Sequence, residues 1–215
     1  RDRALLRRTP VGPGHGRIRP PPGGRSIARR ALRRPRAEAR ITLEIVYHPH
    51  PDLRKRAAPI AEVSAEIRRR AAEMIELMFA ARGVGLAANQ VAWRERIVII
   101  CPSGEFEDAR ALVNPEVIEG EGEEIAEEGC LSFPQVYGRV PRAARIRYRY
   151  TDLDGTPVEC EAGGLEARVV QHEIDHLDGI VFTMRMTPAD RMATRKAVKE
   201  LERRYKEQQD RGSAS

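Results

Sequence analysis

One segment, Gln171-His172-Glu173-Ile174-Asp175-His176, restricts what this chain can fold into more than any other. Two histidines four residues apart share a face on a helix, where their Cβ atoms lie roughly 5 to 6 Å apart, so both imidazoles can reach one metal ion. Glu173, one position beyond the first histidine, can hydrogen-bond a metal-bound water without itself being a ligand. The spacing therefore predicts a helix from about Leu165 to Asp178, ended by Gly179, which suits left-handed backbone. The competing reading is a chance match on an ordinary amphipathic helix, and a chain with only five histidines makes that match rare. Asp175 is expected on the outer, solvated face; the alternative is a carboxylate standing behind the ligands.

A catalytic cation of this kind usually takes three protein ligands and leaves one position open. No histidine follows His176, and Glu200, Glu202 and Glu207 fall in a highly charged terminal helix, so the third ligand is sought upstream. Cys130, in Glu127-Glu128-Gly129-Cys130-Leu131-Ser132, is the best candidate, since a thiolate binds a borderline or soft cation strongly. Cys101 ends an apolar run and Cys160 sits in a predicted strand, so both are expected to be buried, inert thiols. His48 and His50 flank Pro49 in a turn-rich stretch and are expected to be surface or local-structure residues.

At 215 residues the chain can bury one full core with no second domain. No apolar run approaches a membrane span, no secretory signal is visible, and three cysteines do not make a disulfide framework. The formal charge of +6 is unevenly spread. Residues 1–40 carry 13 Arg against Asp2 and Glu38, a local +11, which leaves −5 on the remainder. With Pro20-Pro21-Pro22 and repeated Arg pairs, residues 1–40 are expected to be a disordered extension. Organelle targeting and RNA binding are the alternatives, and the near absence of serine weakens the first.

From Ile41 the pattern is that of a folded unit, expected to end at 209 with a flexible tail over 210–215. Ser64 caps a predicted helix whose apolar residues Ile67, Ala71, Met74, Ile75 and Met78 follow the helical period, stopping near Gly83. Strands are expected at Ile97–Cys101, Leu112–Ile118, Ala144–Thr151 and Pro157–Glu161, the last two joined through Asp154-Gly155. Thr187-Pro188 opens a final helix to about Gln208. The order predicts an α+β domain of mostly antiparallel strands around the metal helix, with one helix before and one after.

Three separated segments together resemble the signature motifs of peptide deformylases. Gly83-Val84-Gly85-Leu86-Ala87-Ala88-Asn89-Gln90 is similar to G-x-G-L-A-A-x-Q, Glu128-Gly129-Cys130-Leu131-Ser132 to E-G-C-L-S, and Gln171 to Leu177 to Q-H-E-x-D-H-L. The Cys-Leu-Ser form resembles bacterial and plastid-type members. The resemblance implies antiparallel sheets around the metal helix, and removal of the formyl group from N-terminal formylmethionine of nascent polypeptides. It implies Fe²⁺ as the usual ion, with Zn²⁺, Ni²⁺ or Co²⁺ able to occupy the same site. It assigns Cys130, His172 and His176 as ligands, Glu173 as acid and base, and Gln90 with the Leu131 N–H as oxyanion donors. Gly83 and Gly85 are expected to let a substrate backbone approach closely, and Val84, Leu165 and Val169 to line a methionine pocket, with Arg168 as a charged neighbour. A monomer in the bacterial cytoplasm, without DNA or membrane partners but with transient ribosome contact, completes the expectation. The rivals are an H-E-x-x-H metalloprotease of another lineage and an RNA-associated protein working through its Arg-rich segment.

Overall fold

The structure is a computed structural model that describes residues 43–212. The Arg-rich segment and residues 213–215 lie outside the described residues. Ser64 does cap the first helix, α1 (Ala65–Ala80): its hydroxyl accepts from the Ile67 N–H at 3.3 Å, a contact type worth about 1 kcal/mol. The five predicted apolar residues are the ones α1 buries, against β1 (Gly85–Ala87) and β2 (Ile97–Ile100).

The main sheet has five antiparallel strands in the order β1-β2-β3-β6-β7, with β3 at Arg110–Glu121, β6 at Arg145–Thr151 and β7 at Pro157–Gly163. β3 runs through Asn114-Pro115 by breaking register there; Asn114 takes φ +51°, and its amide holds the Ile60 N–H and C=O at 2.9 and 2.7 Å. The metal helix, α2 (Gly164–Leu177), packs its apolar side on this sheet through Ala167, Val170 and Leu177. It ends at Gly179, φ +74°, where a Cβ would stand 2.6 Å from the Arg54 carbonyl oxygen, so both backbone angle and space require glycine.

A second, two-stranded sheet, β4 (Glu124–Cys130) paired with β5 (Phe133–Arg142), was not among the expected strands. Its inward positions explain why. β4 turns Glu128 and Cys130 inward, so the apolar alternation that marks a half-buried strand is missing. In β5, Pro134, Gly138 and Pro141 interrupt the pattern set by Phe133, Val136 and Val140. The final helix, α3 (Pro188–Gly212), extends beyond the expected end near Gln208 and places Val198 and Leu201 against Phe133, Val136 and Phe182. The helix and strand content is thus the expected α+β arrangement, with α2 lying between the two sheets' contributions to the site.

Candidate metal centre

Helix α2 and the end of β4 bring one atom each from Cys130, His172 and His176 within 4.8 Å of one another. Cys130 Sγ lies 3.2 Å from His176 Nε2, and the two imidazoles stand 5.0 Å apart at 68°. His172 turns Nδ1 to the Glu128 carboxylate at 2.9 Å, which directs its Nε2 toward the thiol. Burial holds His176 well below its ordinary pKa, leaving that ring neutral with a lone pair to offer. At His172 burial opposes the same charged form, but hydrogen bonds to Cys130 and Glu128 override it and raise the pKa, so a cation would have to displace that proton. A half-buried thiol and two buried imidazoles, convergent from two elements, fit a transition-metal ion.

Glu128, in the sequence only a letter of the second motif, stands behind His172. Its oxygens accept from Arg142 Nε and Nη2 (2.9 and 3.1 Å), from Arg168 Nη1 (2.8 Å) and from His172. Burial alone would raise its pKa; the contacts with His172 and Arg142 hold it at about 2 instead. The signal for it was available: in a strand, residue 128 must share a face with residue 130. Arg142 continues to Asp175 at 2.5 Å, and Arg185 holds the same carboxylate at 2.8 and 3.1 Å. Asp175 is therefore buried and ion-paired, correcting its expected place on a solvated face. Arg168 reaches the Val140 and Glu124 carbonyls as well as Glu128, so this charged neighbour of Leu165 and Val169 is turned toward β4 and β5.

Glu173 lies against Gly85. Its carboxyl is buried, Oε2 has no hydrogen-bond partner among the described residues, and burial pushes its pKa up to about 7. A Cβ on Gly85 would collide with that carboxylate, coming within 2.9 Å of its Cδ, and one on Gly83 would stand 2.8 Å from Leu131 Cδ1. The two glycines were expected to admit a substrate backbone; what they demonstrably admit is the protein's own Glu173 and Leu131. Gln90 anchors its Oε1 on the Ala87 N–H at 2.8 Å and points Nε2 to Cys130 Sγ (3.4 Å) and Ser132 Oγ (3.3 Å). Gln90 is thus tethered to the backbone through one end of its amide while the other end faces the Cys130 segment. Gln171 pairs its amide with the Ala143 N–H and C=O, both at 3.0 Å, tying α2 to the β5–β6 turn.

The pocket residues divide. Val84 and Leu165 are exposed at 39% and 53%, as a binding rim requires, whereas Val169 is buried within the core packed on the main sheet. Cys101 is buried as expected, but Cys160 is only half-buried. His50 is a local-structure residue as expected, its Nδ1 accepting from the Asp52 N–H at 3.3 Å, but His48 is not: its ring stacks on Phe133 and meets Glu202, both far along the chain. Among the described residues no helix is long and apolar enough to cross a membrane.

The family model described as polypeptide deformylase matches residues 42–192. Among solved structures, the chain is similar to a peptide deformylase from Plasmodium falciparum at 33% identity and a TM-score of 0.74, covering 76% of this chain and 97% of that one. It is similar to the enzyme from Legionella pneumophila at 37% identity and a TM-score of 0.70, covering 75% and 95%. For the enzyme from Thermotoga maritima the values are 39%, 0.65, 68% and 98%. With a Cys-His-His cluster on a fold shared with these enzymes over nearly their full length, the chain belongs to the polypeptide deformylase family, metal-dependent hydrolases that remove the N-formyl group from nascent peptides.

Proposed function

We propose that Cys130, His172 and His176 hold the catalytic cation, that Glu173 moves the proton, and that Gln90 Nε2 and the Leu131 N–H receive the oxyanion. The observation that carries this reading is the convergence of three potential ligand atoms within 4.8 Å beside a buried carboxylate oxygen with no hydrogen-bond partner among the described residues. A bound dication supplies a Lewis acid that lowers the pKa of water from 15.7 toward about 7. Glu173 takes up the proton released as the formyl carbon is attacked, then delivers it to the departing amine nitrogen, so formate and a free amine leave. Gln90 is held by its own backbone tether and needs no reorganisation to meet developing negative charge, a contribution of about 3 to 4 kcal/mol per donor. Val84, Leu165 and Val169 form the methionine-binding wall, with Gly83 and Gly85 beside the extended substrate.

The ion is Fe²⁺ by family resemblance; Zn²⁺, Ni²⁺ and Co²⁺ suit the same thiolate and imidazole donors. The nascent-peptide substrate and three free thiols support the bacterial cytoplasm. The catalytic unit is residues 41–209, and the +11 charge of residues 1–40 supports transient contact with ribosomal RNA.

Formate release from formyl-Met-Ala, with elemental analysis of anaerobically purified protein, tests the central reading. One metal per chain and formate without cleavage of internal peptide bonds are expected. Internal cleavage without formate would overturn it. Cys130→Ser should lose metal or activity, and Glu173→Gln should keep the metal and lose turnover. Removing residues 1–40 should abolish RNA binding and spare formate release; equal RNA binding by both chains would end the ribosome proposal.

A further inference from the structure

The two proposed oxyanion donors come from parts of the chain that share no sheet. Gln90 lies in the 3-10 turn Ala88–Val91 after β1, and Leu131 follows β4 in the separate two-stranded sheet. Of the Gln90 Nε2 contacts across the gap, that to Ser132 Oγ is long at 3.3 Å and that to Cys130 Sγ has a weak acceptor. Among the described residues, the backbone hydrogen bonds that link these two segments run through a third, residues 46–48. The Val46 N–H donates to the Gln90 carbonyl at 2.8 Å, and the His48 N–H donates to the Ser132 carbonyl at 2.9 Å.

His48 is itself fixed from two sides. Its ring stacks on Phe133, the residue after Ser132, with centroids 4.6 Å apart and 22° between planes. Its Nε2 lies 3.3 Å from the Glu202 carboxylate on α3, while Val46 packs in one cluster with Cys130, Phe133, Val198 and Leu201. Burial lowers the His48 pKa despite Glu202, so the neutral ring donates from Nε2.

We infer that residues 46–48 form a positioning strap that sets the spacing between Gln90 and Leu131, with His48 as the residue that locks it against Phe133 and α3. This rests on the donor roles proposed above. Neither Val46 nor His48 touches the reacting atoms; they act through the carbonyls of Gln90 and Ser132. Because a displacement of about 1 Å at reacting groups can cost on the order of 100-fold, loosening one end of the strap should lower turnover without emptying the metal site.

The test compares the parent with His48→Ala and His48→Phe, reading kcat, KM, metal content and amide hydrogen exchange. His48→Ala is expected to lower kcat about tenfold with KM within about twofold and full metal occupancy. His48→Phe keeps the stack on Phe133 and loses only the Glu202 contact, so it should recover most of that kcat. In metal-free protein, exchange should quicken together at residues 88–91 and 130–133 in the alanine variant. Parent-like kcat in His48→Ala, or faster exchange confined to residues 43–50, would overturn the strap. So would a kcat loss matched by metal loss and unrelieved by phenylalanine. If His48→Ala does not fold, Val46→Ala at the other end of the strap decides: coupled exchange with reduced kcat supports the strap, parent-like behaviour in both refutes it. A parent that releases no formate would instead sink the donor roles, leaving the exchange measurement to judge the strap alone.

Discussion

Two regions of this molecule use the same residue types for opposite ends. Beneath α2, Arg142 meets Glu128 at 2.9 Å with side chains 5% and 4% exposed. On the outer face of the main sheet, Arg149 meets Glu116 at 2.6 Å with side chains 60% and 56% exposed. Arg147 bridges Glu119 and Glu159 beside it. The distances are alike, but only the surroundings decide the energetics. The exposed pairs follow from register, since Glu116 faces Arg149 and Glu119 faces Arg147 across β3 and β6, and water screens them. The buried group costs desolvation at every member and persists because Glu128 and Asp175 are each bonded to two arginines. What the buried group supplies is a fixed His172.

The comparison breaks most visibly at Arg142. Arg142→Ala should destabilise the protein by about 3 to 5 kcal/mol in urea denaturation, because two carboxylates lose a partner while buried; a loss below about 1 kcal/mol would mean that water reaches the cluster. Next comes Gly85→Ala, whose methyl group must displace Glu173. A fall in kcat of about 100-fold with metal retained is expected, whereas unchanged turnover would show that Glu173 has another working position. Glu128→Gln keeps a hydrogen-bonding shape beside His172 but removes the charge, so competition with a chelator should reveal metal affinity lower by about tenfold. The smallest effect belongs to the outer sheet: Arg149→Ala should change stability by about 0.5 kcal/mol or less, and the difference should shrink in high salt. A larger, salt-insensitive loss there would erase the distinction between the regions.

How much of this was legible beforehand follows the same division. α1 and β6 carry regular apolar periods because one face of each is packed against the core and the other is wetter, whereas α2 is buried almost all round and was legible from its histidine spacing. β4 and β5 carry no such period, since the inward positions of β4 are taken by Glu128 and Cys130, the residues the site needs. The cysteine and histidines that converge could be named from spacing and chemistry; what holds them in place could not. Asp175 was misplaced because a carboxylate on a helix reads as solvated unless the arginines that meet it, Arg142 and Arg185, are known to be nearby.

By itself, then, the sequence determined the metal helix and singled out the cysteine and two histidines that converge on it, because these depend on local periodicity and on side-chain chemistry. Tertiary structure alone decided that Glu128 sits behind His172, that Gly85 makes room for Glu173, and that residues 46–48 bridge Gln90 to Ser132. Those are contacts between residues tens of positions apart. They exist only once two sheets and a helix have packed, when burial turns ordinary charges and backbone amides into fixed positions.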